Sequence, residues 1–253
     1  MQTIYGVHPV LETLKRDESI VEKIILARGK RNRGIQGILN LAEEKSIPVD
    51  IRSRDYLDEL VPHKNHQGIA CICEGFHYVS LDEMLARCGE SCNDTTILIL
   101  DCIEDPQNLG SLIRSAYCFG TGGIIIPEDR AAAVTPAVIR ASAGAAQHVP
   151  VAQVVNIARA LDFLKEAGFW IYGADMNAEK ALDAYRFAGP VGVVMGSEKK
   201  GIRPLVRKKC DFLMSIPMAG GLDSLNVSIA GGIVLYEMFR QRRTSSKGTA
   251  KGS

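Results

Sequence analysis

From Thr96 onward the sequence repeats one pattern, in which a short apolar run is followed by a segment with helical periodicity. The runs that predict strands are residues 97–100, 123–127, 148–151, 169–173, 191–195 and 212–216. Buried strands that alternate with helices are typical of a mostly parallel sheet with helices on both faces. The pattern therefore predicts an α/β fold for this part of the chain.

Three of the predicted strands lead into polar, glycine-rich segments, at residues 101–114, 195–202 and 215–226. In an open parallel sheet, ligands bind where the chain leaves the carboxyl ends of the strands. We therefore expect these three segments, although they are far apart in sequence, to line a single pocket.

The sequence before Thr96 indicates a separate, smaller α/β module, because short apolar runs and helical patterns also alternate there. Its predicted strands are residues 23–27, 49–52 and 68–73. The predicted boundaries along the chain are 1–75 for this module, 76–94 for a linker, 95–243 for the larger domain and 244–253 for a disordered tail.

The composition limits the possible classes of function. The net charge is +1, but basic residues cluster at residues 28–33, 199–209 and 240–253, and such patches supply the sequence-independent part of phosphate binding. No apolar run is long enough to cross a bilayer, and the first residues lack the pattern of a secretory signal. Seven cysteines in a chain of this length do not make a disulfide scaffold, so we expect reduced thiols and a cytoplasmic protein.

A metal site is not expected. His63, His66, Cys71 and Cys73 are close in sequence, but their spacing does not match a zinc finger or ribbon. Cys71 and Cys73 alternate with apolar residues in a predicted strand, where cysteine packs as a small hydrophobic side chain. The dinucleotide-binding and P-loop patterns are also absent from the strand exits, which argues against hydride transfer and nucleotide hydrolysis.

The first polar segment leads into a helix, for which Asp105 suits the N-cap and Pro106 the first turn. Arg114 lies opposite the apolar face of this helix. It is therefore either a solvated arginine or a fixed cation at the pocket edge, suited to a phosphate or a developing oxyanion. Asn108 is either a simple capping residue or a ligand-binding amide near free backbone N–H groups.

The other two segments also carry polar residues that fit a binding site. Gly196 would let the backbone approach a ligand closely, and Glu198 would either pair with neighbouring lysines or hold a substrate hydroxyl or a cationic cofactor. Ser224 is predicted as the N-cap of the last helix, residues 225–240, which is apolar nearly all round and is therefore predicted to be buried. Asn226 is a polar amide at the start of this helix and needs hydrogen-bond partners.

Three motifs resemble those of the SPOUT superfamily, specifically of TrmH/RlmB-type RNA 2′-O-ribose methyltransferases. They are DPQNLGSLIRSA, MGSEKKGI and IPMAGGLDSLNVSIAGGIVLYE, in the order and spacing of the family. Near the N-terminus, YGVHPVLETL and HQGI resemble the substrate-binding domain found before the catalytic domain in many members. The resemblance covers nearly the whole chain except the linker and the tail. One departure is Lys199, where many members have glycine.

The resemblance implies an enzyme that depends on S-adenosylmethionine and has a mostly parallel α/β domain with a deep C-terminal trefoil knot. It also implies a homodimer whose active site lies at the subunit interface. The functional residues that carry over onto matching positions are Asn108, Arg114, Glu198, Ser224 and Asn226. The positions implied to surround the cofactor are Gly196, Ile216, Pro217 and Leu225.

The reaction that the resemblance implies is a displacement at a methyl carbon, in which a ribose 2′-oxygen attacks and a thioether leaves. Arg114 would hold the adjoining phosphate or stabilise the emerging alkoxide. The N-terminal module resembles the RlmB-like arrangement, which favours a guanosine of large-subunit (23S) ribosomal RNA as the substrate. The alternatives are a tRNA 2′-O-ribose methyltransferase and a non-catalytic dimeric RNA-binding protein.

Overall fold

The structure is a computed structural model. The residues that it describes are 2–16, 21–30, 32–61, 66–73, 75–88, 94–198, 200–220 and 224–249. They form two compact units, Met1–Phe76 and His77–Ser253, and each unit has its own buried apolar core. Each can therefore be understood as a domain in its own right.

The first unit is a four-stranded mixed sheet with three helices. Its elements are β1 (Gln2–Tyr5), α1 (Val7–Arg16), β2 (Val21–Ala27), α2 (Arg33–Glu44), β3 (Val49–Arg52), α3 (Arg54–Leu60) and β4 (Ile69–Cys73). The strand order is β1-β4-β2-β3, in which only the pair β2 and β3 is parallel.

Strand β2 shows how the sequence covers both faces of this sheet. Ile24 and Leu26 pack into the core that α1 and α2 share, whereas Ile25 and Ala27 pack with Leu57 of α3. Alternate residues of a strand point to opposite faces, so a strand that is buried on both sides must be apolar throughout.

His66 takes part in hydrogen bonds within the first unit. Its Nε2 lies 3.0 Å from a carboxylate oxygen of Asp58, and its Nδ1 accepts a hydrogen bond from the backbone N–H of Gly68 at 3.0 Å. The side chain is buried, so these contacts satisfy both ring nitrogens. Cys71 and Cys73 are buried in β4 among apolar side chains. His63 lies outside the described residues.

The second unit is a six-stranded, fully parallel sheet in the order β10-β8-β9-β5-β6-β7. Its elements are α4 (Leu81–Cys88), β5 (Thr96–Asp101), α5 (Pro106–Cys118), β6 (Gly123–Pro127), α6 (Pro136–Ala141), β7 (Val151–Val154), α7 (Ile157–Glu166), β8 (Trp170–Ala174), β9 (Val191–Gly196), α8 (Pro204–Lys209), β10 (Phe212–Met214) and α9 (Val227–Thr249). The parallel α/β architecture predicted from the alternating pattern is therefore confirmed.

The strand order decides which chain segments can meet. β5 and β9 are neighbours, and Asp101 at the end of β5 pairs with Gly196 at the end of β9. The exits after these strands therefore start side by side. α9 packs closely on α5 and β9. A methyl group added at Gly231 would contact Leu112 of α5 and Met195 of β9. The three polar segments consequently converge at one edge.

Two predicted boundaries differ from the structure. The strand predicted at residues 148–151 lies at Val151–Val154 instead, because residues 145–147 form a short 3-10 helix and the strand begins after Pro150. Part of the predicted linker belongs to the second unit, where α4 places Met84, fully buried, in the sheet core.

The last helix also departs from its prediction. α9 begins at Val227 and extends to Thr249, into the segment predicted to be a disordered tail. It was expected to be buried, yet Ile229, Ile233 and Tyr236 are 56%, 38% and 52% exposed. Their spacing of four and three residues puts them on one face, so α9 buries one side against α5 and leaves an apolar stripe uncovered within this chain. No helix in the described part of the chain is long and apolar enough to span a membrane.

The packing of α5 on α6 depends on a glycine, which gives a test of the fold. A Cβ at Gly110 would overlap the Cβ of Ala141 and lie 3.0 Å from backbone atoms of Ala141 and Ser142. Because a backbone cannot move aside cheaply, we expect Gly110→Ala to lower the free energy of unfolding by about 1–3 kcal/mol. The measurement is urea denaturation followed by circular dichroism.

Gly232→Ala is the matched control for this experiment. Gly232 is also helical, but its added methyl group would make an ordinary contact of 3.6 Å with Ser115. Replacing it should be neutral or stabilising by up to about 1 kcal/mol. Equal stability of the two variants would contradict the close α5–α6 packing.

Candidate functional site

Three polar side chains from the three segments meet in one hydrogen-bonded cluster. The amide of Asn108, on the first turn of α5, donates to Oε1 of Glu198 at 2.9 Å. The amide of Asn226 donates to the same oxygen at 2.6 Å and to Oδ1 of Asn108 at 3.0 Å. Residues that are 90 and 118 positions apart in sequence are therefore in direct contact.

The orientation of Asn226 follows from its place as the N-cap of α9. Its Oδ1 accepts hydrogen bonds from the backbone N–H groups of Ser228 at 2.9 Å and Ile229 at 3.3 Å. An asparagine whose oxygen caps a helix must direct its amide NH₂ elsewhere, and here it reaches Glu198. The prediction that Ser224 is the N-cap is therefore wrong, because the helix begins two residues later than that prediction requires.

Glu198 lies at the positive end of α9. Besides the two asparagine amides, the backbone N–H of Val227 donates to its Oε1 at 3.4 Å. Backbone N–H groups at a helix N-terminus favour an anion. The described contacts of the Glu198 side chain are thus with the two asparagine amides and the N-terminus of α9. Lys199, the departure from the family pattern, lies outside the described residues.

The loop after β9 closes on itself. Ser197 and Gly201 exchange backbone hydrogen bonds of 3.1 and 2.8 Å. A Cβ at Gly196 would overlap the backbone of Gly201 and Ile202. Glycine was expected at position 196 so that the backbone can approach a ligand. The structure adds a second reason, because residues 201 and 202 of the same loop pass too close to Gly196 for a side chain to fit.

An ion pair between a buried carboxylate and a partly exposed arginine anchors the far end of this loop to β5. Asp101 is fully buried and accepts from the backbone N–H of Arg203 at 2.8 Å and from its Nε at 2.7 Å. The hydrogen bonds to Asp101 raise the pKa of the Arg203 guanidinium. The carboxylate is thus satisfied by backbone and side chain together, which fixes the loop relative to the sheet.

A cavity of about 410 Å³ opens at the ends of β8, β9 and β10. Five of the residues implied by the family resemblance line it, namely Gly196, Glu198, Ile216, Ser224 and Leu225. Pro217 is exposed beside Ile216 and is not part of the lining. Methionines dominate the apolar surface, at positions 176, 195, 214 and 218.

A second cavity, of about 760 Å³, adjoins the first on the other side of the loop after β9. Asn108 lines only the second cavity, whereas Glu198 and Val227 line both. The asparagine–glutamate cluster therefore stands in the wall between two spaces. Both volumes fall within the range of about 300–1,000 Å³ that is usual for ligand sites.

Among the residues predicted to be catalytic, Arg114 is the one that lies neither in the cluster nor in the lining of either cavity. Its side chain is exposed on α5, and it lines neither cavity. Within the described residues it has no hydrogen-bond or ion-pair partner. A single copy of the chain thus leaves this cation open to solvent.

Sequence reasoning missed one wall of the first cavity. Residues 174–177, at the exit of β8, line it, and Asp175 accepts a hydrogen bond of 2.6 Å from Nε of Arg207. The signal was present, since these residues also follow a buried strand of the same sheet. The rule that ligands bind where the chain leaves the carboxyl ends of parallel strands was applied to three strands, and its application to β8 would have identified these residues.

Two family models match the chain. The model described as the SpoU rRNA methylase family matches residues 95–236. The chain belongs to this family. A second model, described as RNA 2′-O ribose methyltransferase substrate binding, matches residues 3–79 and so coincides with most of the first unit.

Relatives of similar length agree with this assignment. The chain is 39% identical over 239 residues to a putative TrmH family tRNA/rRNA methyltransferase, YacO, of Bacillus subtilis, covering 94% of this chain and 95% of that one. It is 39% identical over 242 residues to the 23S rRNA (guanosine-2′-O-)-methyltransferase RlmB of Yersinia pestis, covering 95% and 98%.

A solved structure of the same family has a similar fold. It is the SpoU methyltransferase AviRb from Streptomyces viridochromogenes in complex with the cofactor AdoMet. The match has a TM-score of 0.63 and 25% sequence identity, and covers 96% of this chain and 90% of that one.

The ion pair beside the first cavity gives a pH-dependent prediction. Burial alone would raise the pKa of Asp175, but hydrogen bonds from Arg207 and the backbone N–H of Asn177 outweigh it and lower this pKa. A carboxyl whose folded pKa is lowered stabilises the protein above its unfolded pKa of about 3.9, and the effect is lost as the pH falls through the folded pKa. We expect Asp175→Asn to lower the melting temperature at pH 6, and the difference from wild type to disappear in acid.

The matched control is Glu83→Gln, which removes a carboxylate from an ion pair with Arg87 whose side chains are 44% and 51% exposed. Exposed pairs contribute little, about 0–1 kcal/mol, so this variant should melt close to wild type at every pH. Melting curves between pH 3 and pH 7 measure both variants. A deficit of Asp175→Asn that is the same at every pH would contradict the assigned cause.

Proposed function

We propose that this protein transfers the methyl group of S-adenosylmethionine to the ribose 2′-oxygen of a guanosine in large-subunit ribosomal RNA. The observation that carries the proposal is the Asn108–Glu198–Asn226 cluster, set in the wall between two cavities. It lies within the region that matches the SpoU methylase family. A reaction that joins two substrates needs adjoining spaces with polar groups at their boundary, and this cluster provides them.

The first cavity fits S-adenosylmethionine. Methionine side chains there suit an adenine ring, because thioethers make favourable contacts with aromatic rings. The backbone around Ile216 and Leu225, with the side chain of Ser224, offers donors and acceptors for the polar edge of the base and for the ribose. When bound, the cofactor supplies a methyl group that its positive sulfur makes electrophilic. Glu198 provides a negative charge on the same wall.

The residues of the cluster would position the reacting groups. Glu198 Oε1 is committed to the two asparagine amides, so the carboxylate is held in one orientation and its other oxygen can accept the proton of the attacking hydroxyl. Asn108 and Asn226 fix that carboxylate. Arg114 would hold the neighbouring phosphate or stabilise the alkoxide. It does not serve as a base, because a guanidinium does not readily lose its proton.

Completion of this site requires a second copy of the chain. Arg114 lines neither cavity in one copy, and α9 leaves Ile229, Ile233 and Tyr236 exposed. A homodimer through the catalytic domain would cover this stripe and bring the partner's α5 to the cavities. We also propose that the chain from β9 to α9 forms the trefoil knot of the superfamily, in which the threaded loops hold the cofactor.

The choice of RNA rests on the N-terminal unit and on the relatives. The first unit matches the substrate-binding model, and the RlmB relative is named for 23S rRNA guanosine. A cytoplasmic location agrees with this substrate. Transfer RNA is the second candidate, because the Bacillus relative is named for both tRNA and rRNA. A purely RNA-binding role is disfavoured, because the match to the methylase model includes the whole cluster.

The proposal is tested by incubating the protein with tritiated S-adenosylmethionine and ribosomal RNA from cells that lack the gene. We expect label in the large-subunit RNA, recovered as 2′-O-methylguanosine after nuclease digestion. Ribosomal RNA from cells that carry the gene is the matched control and should accept little label, because its site is already modified. Label in tRNA alone would support the second candidate, and label in neither RNA would contradict methyl transfer.

The role of Arg114 is tested by Arg114→Ala. Because the arginine stabilises charge that develops only during the reaction, we expect methyl transfer to fall by about 100- to 1,000-fold. Cofactor affinity, measured by calorimetry, should change little. Arg159→Ala removes another exposed arginine, on α7, that lines neither cavity, and should stay near wild type. Near-wild-type turnover of Arg114→Ala would contradict the assigned role.

A further inference from the structure

The second cavity carries charged side chains that methyl transfer itself does not require. Its floor is the exit of β5, from Cys102 to Asp105, and one side is Arg130, just beyond β6. The opposite side is the loop after β9, with Lys200 and Arg203. The lining therefore holds acidic and basic side chains in equal number around one space.

Internal contacts explain only part of this lining. Arg203 is held by Asp101, and Asp105 caps α5 by accepting from the backbone N–H of Gln107 at 3.1 Å. Glu104, Arg130 and Lys200 differ from these residues. All three side chains are exposed, and within the described residues none makes a side-chain hydrogen bond or an ion pair. They are thus free to meet a ligand.

The backbone on both sides of this cavity adopts an uncommon conformation. Cys102, two residues before Glu104, has a φ of 63°, and Arg130 has a φ of 57°. Non-glycine residues rarely adopt positive φ, and such residues concentrate at functional sites. The conformations hold the β5 exit and Arg130 at fixed positions around the space.

A carboxylate and a guanidinium on one cavity match one nucleobase. A carboxylate accepts from two adjacent donors, and guanine alone among the four RNA bases presents such a pair, N1–H and the 2-amino group, on its pairing edge. A guanidinium donates two parallel hydrogen bonds to O6 and N7, the acceptors on the other edge of guanine. Unpaired RNA bases are commonly recognised on both of these edges.

We propose that the second cavity seats the guanine of the target nucleotide, with Glu104 accepting from N1–H and the 2-amino group and Arg130 donating to O6 and N7. The ribose of the same nucleotide then lies toward Asn108 and Glu198, which line the cavity on the cofactor side. This inference rests on the proposed function and adds the residues that select the base.

The test uses three RNAs that differ only at the modified position, once that position has been mapped. One carries guanosine, one carries inosine, which lacks the 2-amino group, and one carries 7-deazaguanosine, which lacks N7. Loss of one hydrogen bond to a charged group lowers kcat/KM by about 10- to 100-fold, and we expect this for wild type with both analogues. Wild type that methylates all three RNAs equally would overturn the inference.

Two variants test which side chain binds which edge of the guanine. Glu104→Gln should lower kcat/KM on guanosine RNA and should have the same kcat/KM on inosine RNA as on guanosine RNA. Its kcat/KM on 7-deazaguanosine RNA should still be lower than on guanosine RNA. Arg130→Gln should show the opposite pattern. Asp129→Asn is the matched control, because Asp129 is an exposed neighbour of Arg130 that does not line the cavity, and it should discriminate as wild type does. Melting temperature and cofactor affinity should be unchanged in all three variants.

The remaining outcomes separate this inference from the proposed function. If Arg130→Gln lowers kcat/KM for all three RNAs by the same factor, Arg130 binds phosphate, and the assignment of this cavity to the guanine base is wrong. Methyl transfer as the proposed function is not affected by that outcome. The same conclusion holds if the wild-type protein modifies a nucleotide other than guanosine. Absence of methylation of every RNA by the wild-type protein would count against the proposed function and against this inference together.

Discussion

The structure of the site depends on the hydrogen bonds that Glu198 receives from Asn108 and Asn226. Each of the three residues comes from a different segment, and the position of each is set by the helix or strand to which it is attached. Asn108 lies in the first turn of α5, Asn226 caps α9, and Glu198 follows β9. A polar group at such a junction is fixed only when its partners are fixed, so the cluster is a result of the whole sheet. The same cluster forms part of the wall between the two cavities.

The parallel sheet supplies the conditions for this cluster. Because all six strands run in one direction, every carboxyl end lies at one edge, and the neighbouring positions of β5 and β9 place Asp101 next to Gly196. Asp101 then ties Arg203 to β5, so the loop that carries Glu198 is anchored at both ends.

The two cavities differ in the chemistry of their linings. The first is walled by methionines and by backbone from the last loops, and suits a cofactor with an aromatic base. The second is walled by charged side chains, and three of them, Glu104, Arg130 and Lys200, have no side-chain hydrogen bond or ion pair within the described residues. We propose that this cavity takes a polar base. Arg114 belongs to neither cavity within one copy. The same chain also leaves the apolar stripe of α9 exposed, and the second copy that we propose would account for both observations.

The sequence by itself determined the parallel α/β fold and the capped start of α5 at Asp105, and it predicted that the three polar strand exits meet. These follow from local rules, since apolar runs, capping residues and strand exits are visible in a single segment. The tertiary structure decided what depends on contacts between distant segments. It made Asn226 rather than Ser224 the cap of α9, gave Gly196 a role against its own loop, and left one side of α9 exposed. It also brought Asp175 and Arg130 to the cavities. The order of strands in the sheet sets these contacts, and no local pattern encodes that order.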